Sequence, residues 1–317
     1  MQIEPKQTTF GALRHPVSIK AFERASEKKF LGGLLFIATS EMTVEPNDGG
    51  LLVLDSNKSY AASKKFTYSN EYGLTDFTYV RTHAKKKYVY ISTEENKIHG
   101  LVAKDNSQLE LEESFTNHED YISAVNANDV DNLLLSASFD GTVSIWRLKD
   151  STILEQEYKA HNDRIFNAKW FIDHQTNFLS CSADKRISVW DIRKPKIAAL
   201  TFNGTSAMND IDFSLTDSNK VYAGSQDGQL LELDIRAFEK NRVLQERKEG
   251  ITKISVGKNE LCGFGTSEYG FLVYDLKKEK EYYNATLEDS ITSVYSSKMN
   301  QCFYVSTIAK KVHAFEF

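Results

Sequence analysis

Two stretches of this chain repeat one another. One is HEDYISAVNANDVDNLLLSASFDGTVSIW, from His118 to Trp146; the other is HNDRIFNAKWFIDHQTNFLSCSADKRISVWD, from His161 to Asp191. Each runs from a histidine through an alternating strand, a small-residue strand and an aspartate to a third strand that ends in tryptophan. The aspartate stands six residues before the tryptophan in both, Asp140 before Trp146 and Asp184 before Trp190. Self-similarity at a fixed period constrains architecture more than any local propensity, because each copy must solve the same packing problem. Carried along the chain, the frame finds five weaker copies, with tryptophan-equivalent positions at Leu54, Leu101, Trp146, Trp190, Leu233, Tyr274 and Phe315. Their separations are 47, 45, 44, 43, 41 and 41 residues. Asp48, Glu95, Asp140, Asp184, Asp227 and Glu268 each precede such a position by six residues, and only the seventh copy departs, with Ala309 there.

A period of this length suits a unit of four short strands. Alternation with period 2 marks the first strand of a unit, as in residues 165–171 and 251–256; residues 133–138 and 178–182 read as more continuously buried second strands. A tight Asp-Gly or Asp-Lys turn leads into the third. With only 4 Pro in 317 residues, Gly, Asn, Asp and Ser have to make the turns. One such sheet cannot bury both faces alone, whereas sheets packed radially bury each other and leave short edges. The expected fold is therefore all-β, a seven-bladed propeller forming a single domain over residues 1–317. The last copy stops at its third strand, KVHAFEF. Its outermost strand has to come from elsewhere, and residues 7–13 are the candidate, so the ring is expected to close by pairing the two ends of the chain.

A net charge of −5 and a pI near 5.9 argue against a protein built to neutralise nucleic-acid phosphates. The basic run at residues 85–87 and the mixed run KKEKE at residues 277–281 read as solvated turns. No direct nucleic-acid or membrane contact is expected. Cys181, Cys262 and Cys302 are far apart and lie in apolar or small-residue stretches, the pattern of buried reduced thiols. With no apolar core in the N-terminal residues, the expected compartments are cytoplasm and nucleus.

No Walker loop, G-x-S-x-G, H-E-x-x-H or C-x-x-C occurs, and no catalytic, cofactor-binding or metal-ligating set is expected. His161, Ser182 and Asp184 could be mistaken for a hydrolase triad. The neighbouring copy partly rebuilds the trio as His118, Ser138 and Asp140, and repetition marks structure rather than a unique active site. His118, Asp140, Trp146, His161, Asp184, Trp190 and Asp227 are thus read as a structural network; His83 and His174 are loop positions, and Trp170 belongs to the core.

Two features stand out from the framework. In the first copy Ser40 and Asp48 are eight positions apart, whereas Ser138 and Asp140 are two apart, so the loop is six residues longer. Insertions in repeat proteins mark binding loops; Glu41, Met42, Val44 and Pro46 are the candidate partner contacts. The second is Trp190-Asp191-Ile192-Arg193, echoed by Leu233-Asp234-Ile235-Arg236. Arg193 and Arg236 follow third strands and belong on one rim. This arrangement is similar to that of substrate receptors for cullin–RING ubiquitin ligases, which supplies an alternative function.

The whole repeat pattern resembles the WD-repeat family. More narrowly, AHNDRIFNAKW and NFLSCSADKRISVWDIRKPK, within residues 160–196, resemble the central blades of the methylosome WD-repeat subunits, the methylosome protein 50 family. GLTDFTYV, SFDGTVSIW and AGSQDGQLLELD look like that family's second, third and fifth blades. The resemblance implies a non-catalytic scaffold that binds protein arginine methyltransferase 5. It implies as well that protein substrates such as Sm proteins or histones are presented for symmetric arginine dimethylation, the partner supplying the chemistry. Carried over by position, residues 40–48 would approach the enzyme. The family carries a Trp in that loop and this chain has no aromatic there, so a large rigid anchor is missing.

Overall fold

The computed structural model describes residues 5–11, 15–22, 34–40, 49–55, 64–81, 87–103, 109–128, 130, 132–149, 151–171, 176–194, 197–297 and 302–317. Their strands form seven four-stranded antiparallel sheets, six of them from four consecutive strands. In chain order these occupy residues 15–70, 74–115, 122–159, 165–203, 208–246 and 251–286. The seventh combines Ile291–Ser296, Cys302–Thr307 and Lys311–Glu316 with Lys6–Gly11 from the start of the chain.

The expectation of one undivided seven-bladed ring is corrected. The chain divides into two compact units, one comprising residues 1–74, 104–109 and 253–317, the other residues 75–103 and 110–252. A repeat period counts sheets but carries no information on how they group; grouping is set by which neighbouring faces share an apolar core. In the second unit one core joins the third and fourth sheets through Leu135, Ile145, Tyr158, Trp170, Phe178 and Trp190. Another joins the fourth and fifth through Leu179, Val189, Met208, Ile211, Val221 and Leu233. In the first unit Phe271, Val273, Ile291, Phe303 and Phe315 bind the sixth sheet to the seventh.

Each tryptophan-equivalent position falls on the third strand of its own sheet. Trp146 lies on Thr142–Arg147, Trp190 on Arg186–Asp191 and Leu233 on Gln229–Asp234. The second strands are the most buried, Leu133–Ser138 and Leu261–Thr266 throughout, as their continuous small and apolar sequences require.

The turn between second and third strands explains the acidic spacing. The residue after the acidic position has positive φ in five sheets, Asn96 (62°), Gly141 (81°), Lys185 (72°), Gly228 (86°) and Tyr269 (66°), and so does Lys310 (60°) after Ala309 in the seventh. A Cβ at Gly228 would meet Arg247 O at 2.4 Å, so glycine is required there. Lys185 accepts the same conformation with a side chain. Lys185→Gly is therefore expected to stabilise the chain by about 0.5–1 kcal/mol, the left-handed penalty outweighing glycine's entropy. Urea denaturation checks this; an unchanged or lower midpoint would mean that the lysine side chain makes a compensating contact.

The N-terminal strand pairs antiparallel with the last strand over six positions, from Lys6 opposite Glu316 to Gly11 opposite Lys311. It thus begins one residue before the expected segment and ends at Gly11, residues 12–14 being outside the described ones. Gln7 Nε2 lies 3.2 Å from His313 Nδ1 across this pairing.

Candidate functional site: the histidine–tryptophan network and the two rims

His118 stands four residues before Ile122, where the first strand of the third sheet, Ile122–Asn128, begins. Its Nε2 is 2.7 Å from Ser136 Oγ, and its Nδ1 lies 3.2 Å from Asp140 Oδ2 and 3.0 Å from Thr142 Oγ1. Trp146 Nε1 donates to the same Ser136 oxygen at 2.9 Å. The fourth sheet rebuilds all of this but the threonine contact, Arg186 standing in place of Thr142: His161 Nε2 to Ser180 Oγ at 2.7 Å, His161 Nδ1 to Asp184 Oδ2 at 3.0 Å, and Trp190 Nε1 to Ser180 Oγ at 2.9 Å. Since the carboxylate can only accept, Nδ1 carries a proton, and the serine oxygen that meets Nε2 also takes the indole N–H.

The serine therefore differs from the one the sequence suggested. Ser136 and Ser180, two residues earlier and on the same face of the strand, bond the histidines, whereas Ser138 and Ser182 end their strands beside the turn. Ser138 and Ser182 instead staple the turn: Ser138 Oγ accepts from Asp140 N and donates to Asp120 O, and Ser182 does the same with Asp184 N and Asp163 O. The Ser–His–Asp order resembles a nucleophilic relay, yet Ser136 and Ser180 are 0% exposed beneath an indole. A substrate carbon cannot reach them, so the relay locks the first, second and third strands together. Among the described residues no three His, Cys, Asp or Glu converge as metal ligands, and no helix is long and apolar enough to cross a membrane.

Burial alone would raise the Asp140 carboxyl. The His118 ring, the Thr142 hydroxyl and the N–H groups of Glu119 and Thr142 outweigh it and hold the group well below the usual carboxylate range. Asp184 moves the same way, burial being overcome by His161 and the N–H groups of Asn162 and Arg186. A carboxyl whose folded pKa lies below its unfolded value of about 4 stabilises the fold fully above that pH. The contribution is lost as pH falls through the folded value. Unfolding midpoints measured from about pH 6 to pH 2 are thus expected to drop steeply on the acid side, and less steeply in the double variant Asp140→Asn, Asp184→Asn. Parallel acid limbs would assign the acid sensitivity to other carboxylates.

Asp227 keeps the turn without a histidine. Thr205 and Ser225 hydroxyls donate to its carboxylate at 2.6 and 2.5 Å, its own N–H bonds Ser206, and Leu233 replaces the indole. The network has decayed to its polar turn.

Arg193 and Arg236 lie at the opposite end of the sheets, after third strands. Arg193 donates through Nε and Nη2 to Asp191 at 2.9 and 2.7 Å, and Arg236 to Asp234 at 2.9 and 2.5 Å. The backbone N–H of each arginine also bonds its aspartate, at 3.0 Å in both cases. The arginine beside it is the chief cause holding Asp234 down to about 2. Asp275 builds the related turn with Lys277 and Lys278 within the KKEKE run, whose last two residues already belong to the next strand. The Asp-x-Arg motif is thus first a turn device, yet both arginine side chains remain some two-thirds exposed. Glu41, Met42, Val44 and Pro46 lie outside the described residues, as do Asp48, His83 and His174. Trp170 is core, its indole N–H bonding Asn126 O at 3.0 Å.

Sequence reasoning missed a cluster at the network's end of the sheets, where Tyr121, Phe139, Phe166 and Arg164 meet. The signal was present: SFDG in the third copy carries Phe where the fourth and fifth carry Ala183 and Gln226.

The histidine–serine–tryptophan lock recurs in two neighbouring sheets, within two segments that match a known repeat family. Residues 109–147 and 153–191 match the family model described as WD domain, G-beta repeat. Each match begins on the fourth strand of one sheet and continues through three strands of the next, so the sequence repeat staples neighbouring sheets together. The crystal structure of the WD40 beta propeller domain of Doa1 superposes with a TM-score of 0.75 at 18% identity, covering 99% of this chain and 95% of that one. The SIR4-interacting protein SIF2 of Saccharomyces cerevisiae is 33% identical over 114 residues, 35% of this chain and 18% of the relative. The WD repeat-containing protein 53 homolog of Dictyostelium discoideum is 24% identical over 205 residues, 60% of this chain and 53% of the relative. The SEC13 homolog of Drosophila melanogaster is 29% identical over 125 residues, 38% of this chain and 35% of the relative. The chain thus spans about half or less of these relatives' length, and none of the three is named as a methylosome subunit.

Proposed function

We propose that this chain is a non-catalytic scaffold that binds a protein arginine methyltransferase and presents protein substrates, such as Sm proteins or histones, for symmetric arginine dimethylation in cytoplasm and nucleus. The observation that carries the reading is the resemblance of residues 160–196 to methylosome WD-repeat subunits. The fourth sheet, which holds most of that stretch, commits its histidine, serine and aspartate to internal bonds. What it has left to offer is surface, including Ile197 at 78% exposure. A propeller with its reactive side chains so spent works by binding, and the methyl-transfer chemistry belongs to the partner. Purification of the tagged chain from its own cells tests this. Recovery of the methyltransferase at near-equal amounts, with symmetric dimethylation activity in the eluate, is the expected result; its absence would sink the reading.

A second reading is favoured by one observation. Arg193 and Arg236 hold equivalent exposed positions on adjacent sheets, the geometry a cullin–RING adaptor would grip. Recovery of such an adaptor, abolished by charge reversal at both arginines, would replace the first reading with this one.

A further inference from the structure

The third and fourth sheets carry an aromatic platform that the repeat does not call for. Tyr121 and Phe139 lie with ring centroids 4.9 Å apart, and Phe166 meets Phe139 edge-on at 6.0 Å. All three rings are only partly buried. Phe139 N donates to Tyr121 O at 2.9 Å, so the backbone fixes two of the rings relative to each other.

Comparison among copies isolates what is unusual. At the second position of the first strand, Thr75, Ser123 and Asn209 each donate a hydrogen bond to the backbone carbonyl of Ile122, Ile165 and Ile251 respectively, a stitch to the following segment. The fourth sheet has Phe166 in that place and gives up the side-chain bond. At the position before the turn aspartate, Phe139 stands where the fourth and fifth sheets have Ala183 and Gln226. Two departures from the framework thus converge on one spot.

That spot already holds a guanidinium. Arg164 Cζ sits 5.6 Å from the centre of the Phe139 ring, and its Nε lies 3.8 Å from Asp163 Oδ1. The side chain is 57% exposed, so the contact is a loose, solvent-washed stack that a better-placed cation can displace. Glu119, Asp120 and Asp163 stand exposed around it. Burial, then the charges of Glu94 and Asp76, push the Tyr121 hydroxyl up to about 12, as expected beside a negative surface. An aromatic face rimmed by carboxylates selects a cation, and the planar guanidinium stacks on such a face better than an ammonium.

We infer that Tyr121, Phe139 and Phe166 form a docking platform for an arginine side chain of a partner polypeptide, a site that Arg164 covers when no partner is bound. This deepens the scaffold reading by naming the peptide class presented, and it rests on that reading for the choice of partner. The arginine enters over Phe139 with its donors toward Asp120 and Asp163, and Arg164 swings into solvent.

Fluorescence anisotropy of a labelled Gly-Arg-Gly repeat peptide with the full chain tests the site without the methyltransferase. Phe139→Leu keeps apolar bulk but removes the ring face, and is expected to weaken binding about fivefold or more. Arg164→Ala is expected to strengthen it about two- to fivefold by vacating the ring. Arg147→Ala removes the same charge at the far end of the third sheet and is expected to leave binding unchanged, which separates displacement from net charge. A Gly-Lys-Gly repeat is expected to bind more weakly than its arginine counterpart. Equal binding by the parent, Phe139→Leu and Arg164→Ala proteins would overturn the inference, as would equal strengthening by Arg147→Ala. Binding of a uridine oligonucleotide that Arg164→Ala abolishes would overturn it in favour of RNA. Peptide binding with this pattern, in a chain that recovers no methyltransferase from cells, would uphold the platform and reject the enzyme partner.

Discussion

Replacing Trp190 with alanine is expected to destabilise the protein by about 3–5 kcal/mol. The indole is 5% exposed, stacks on Phe178 at 6.0 Å, meets Tyr158 edge-on at 5.7 Å, and belongs to the core joining the third and fourth sheets. Its loss opens a cavity between the sheets. Its Nε1 also satisfies Ser180, whose hydroxyl serves the buried His161 ring, so truncation disturbs a polar chain as well as a packed one. Trp190→Phe separates the two contributions, because it keeps most of the volume and removes the donor. Its expected cost is about 1–2 kcal/mol. Urea unfolding followed by far-ultraviolet circular dichroism gives both values. A loss below about 1 kcal/mol in the alanine variant would mean that neighbouring side chains collapse into the space, contrary to a core of interlocked aromatic rings.

Removing residues 6–11 is expected to cost roughly 3–6 kcal/mol, at about 0.5–1 kcal/mol for each hydrogen bond of a six-position antiparallel pairing. The last sheet would keep three strands, and Lys311–Glu316 would become an open edge available to other chains. A lower thermal midpoint together with concentration-dependent aggregation is therefore expected. Adding a peptide of residues 5–13 in trans should restore part of the midpoint, since the pairing needs no covalent link. Unchanged thermal stability in the truncated chain would show that the strand contributes nothing to closure of the seventh sheet.

Much of this architecture is written in local chemistry. The acidic residue six places before six of the seven third-strand anchors suits a turn whose next residue has positive φ, because its carboxylate collects the turn's N–H groups, as Asp140 does with Thr142 N. Such a turn is a property of a few consecutive residues, so its spacing survives in copies where histidine and tryptophan have gone. The role of the N-terminal segment was legible for a related reason: a repeat lacking its fourth strand leaves an open edge, and one alternating segment remained to cover it.

Other properties depended on residues far apart in the chain. Distance along the strand from the turn decided that Ser136 and Ser180, rather than Ser138 and Ser182, meet the histidines, and only the register of three strands reveals the shared indole donor. Position in the chain placed Arg193 and Arg236 on one rim, but only the structure shows each folded onto the aspartate two residues before it. The platform at Phe139 joins residues from three separate segments, 121, 139 and 164–166, and no window of sequence contains all of them. The sequence by itself determined the number of copies, the turn chemistry and the pattern of burial, because these follow from short-range sterics and a period. Only the tertiary structure decided how the sheets group into two compact units and which side chains meet at their ends, because those contacts depend on packing between sheets that the chain reaches many residues apart.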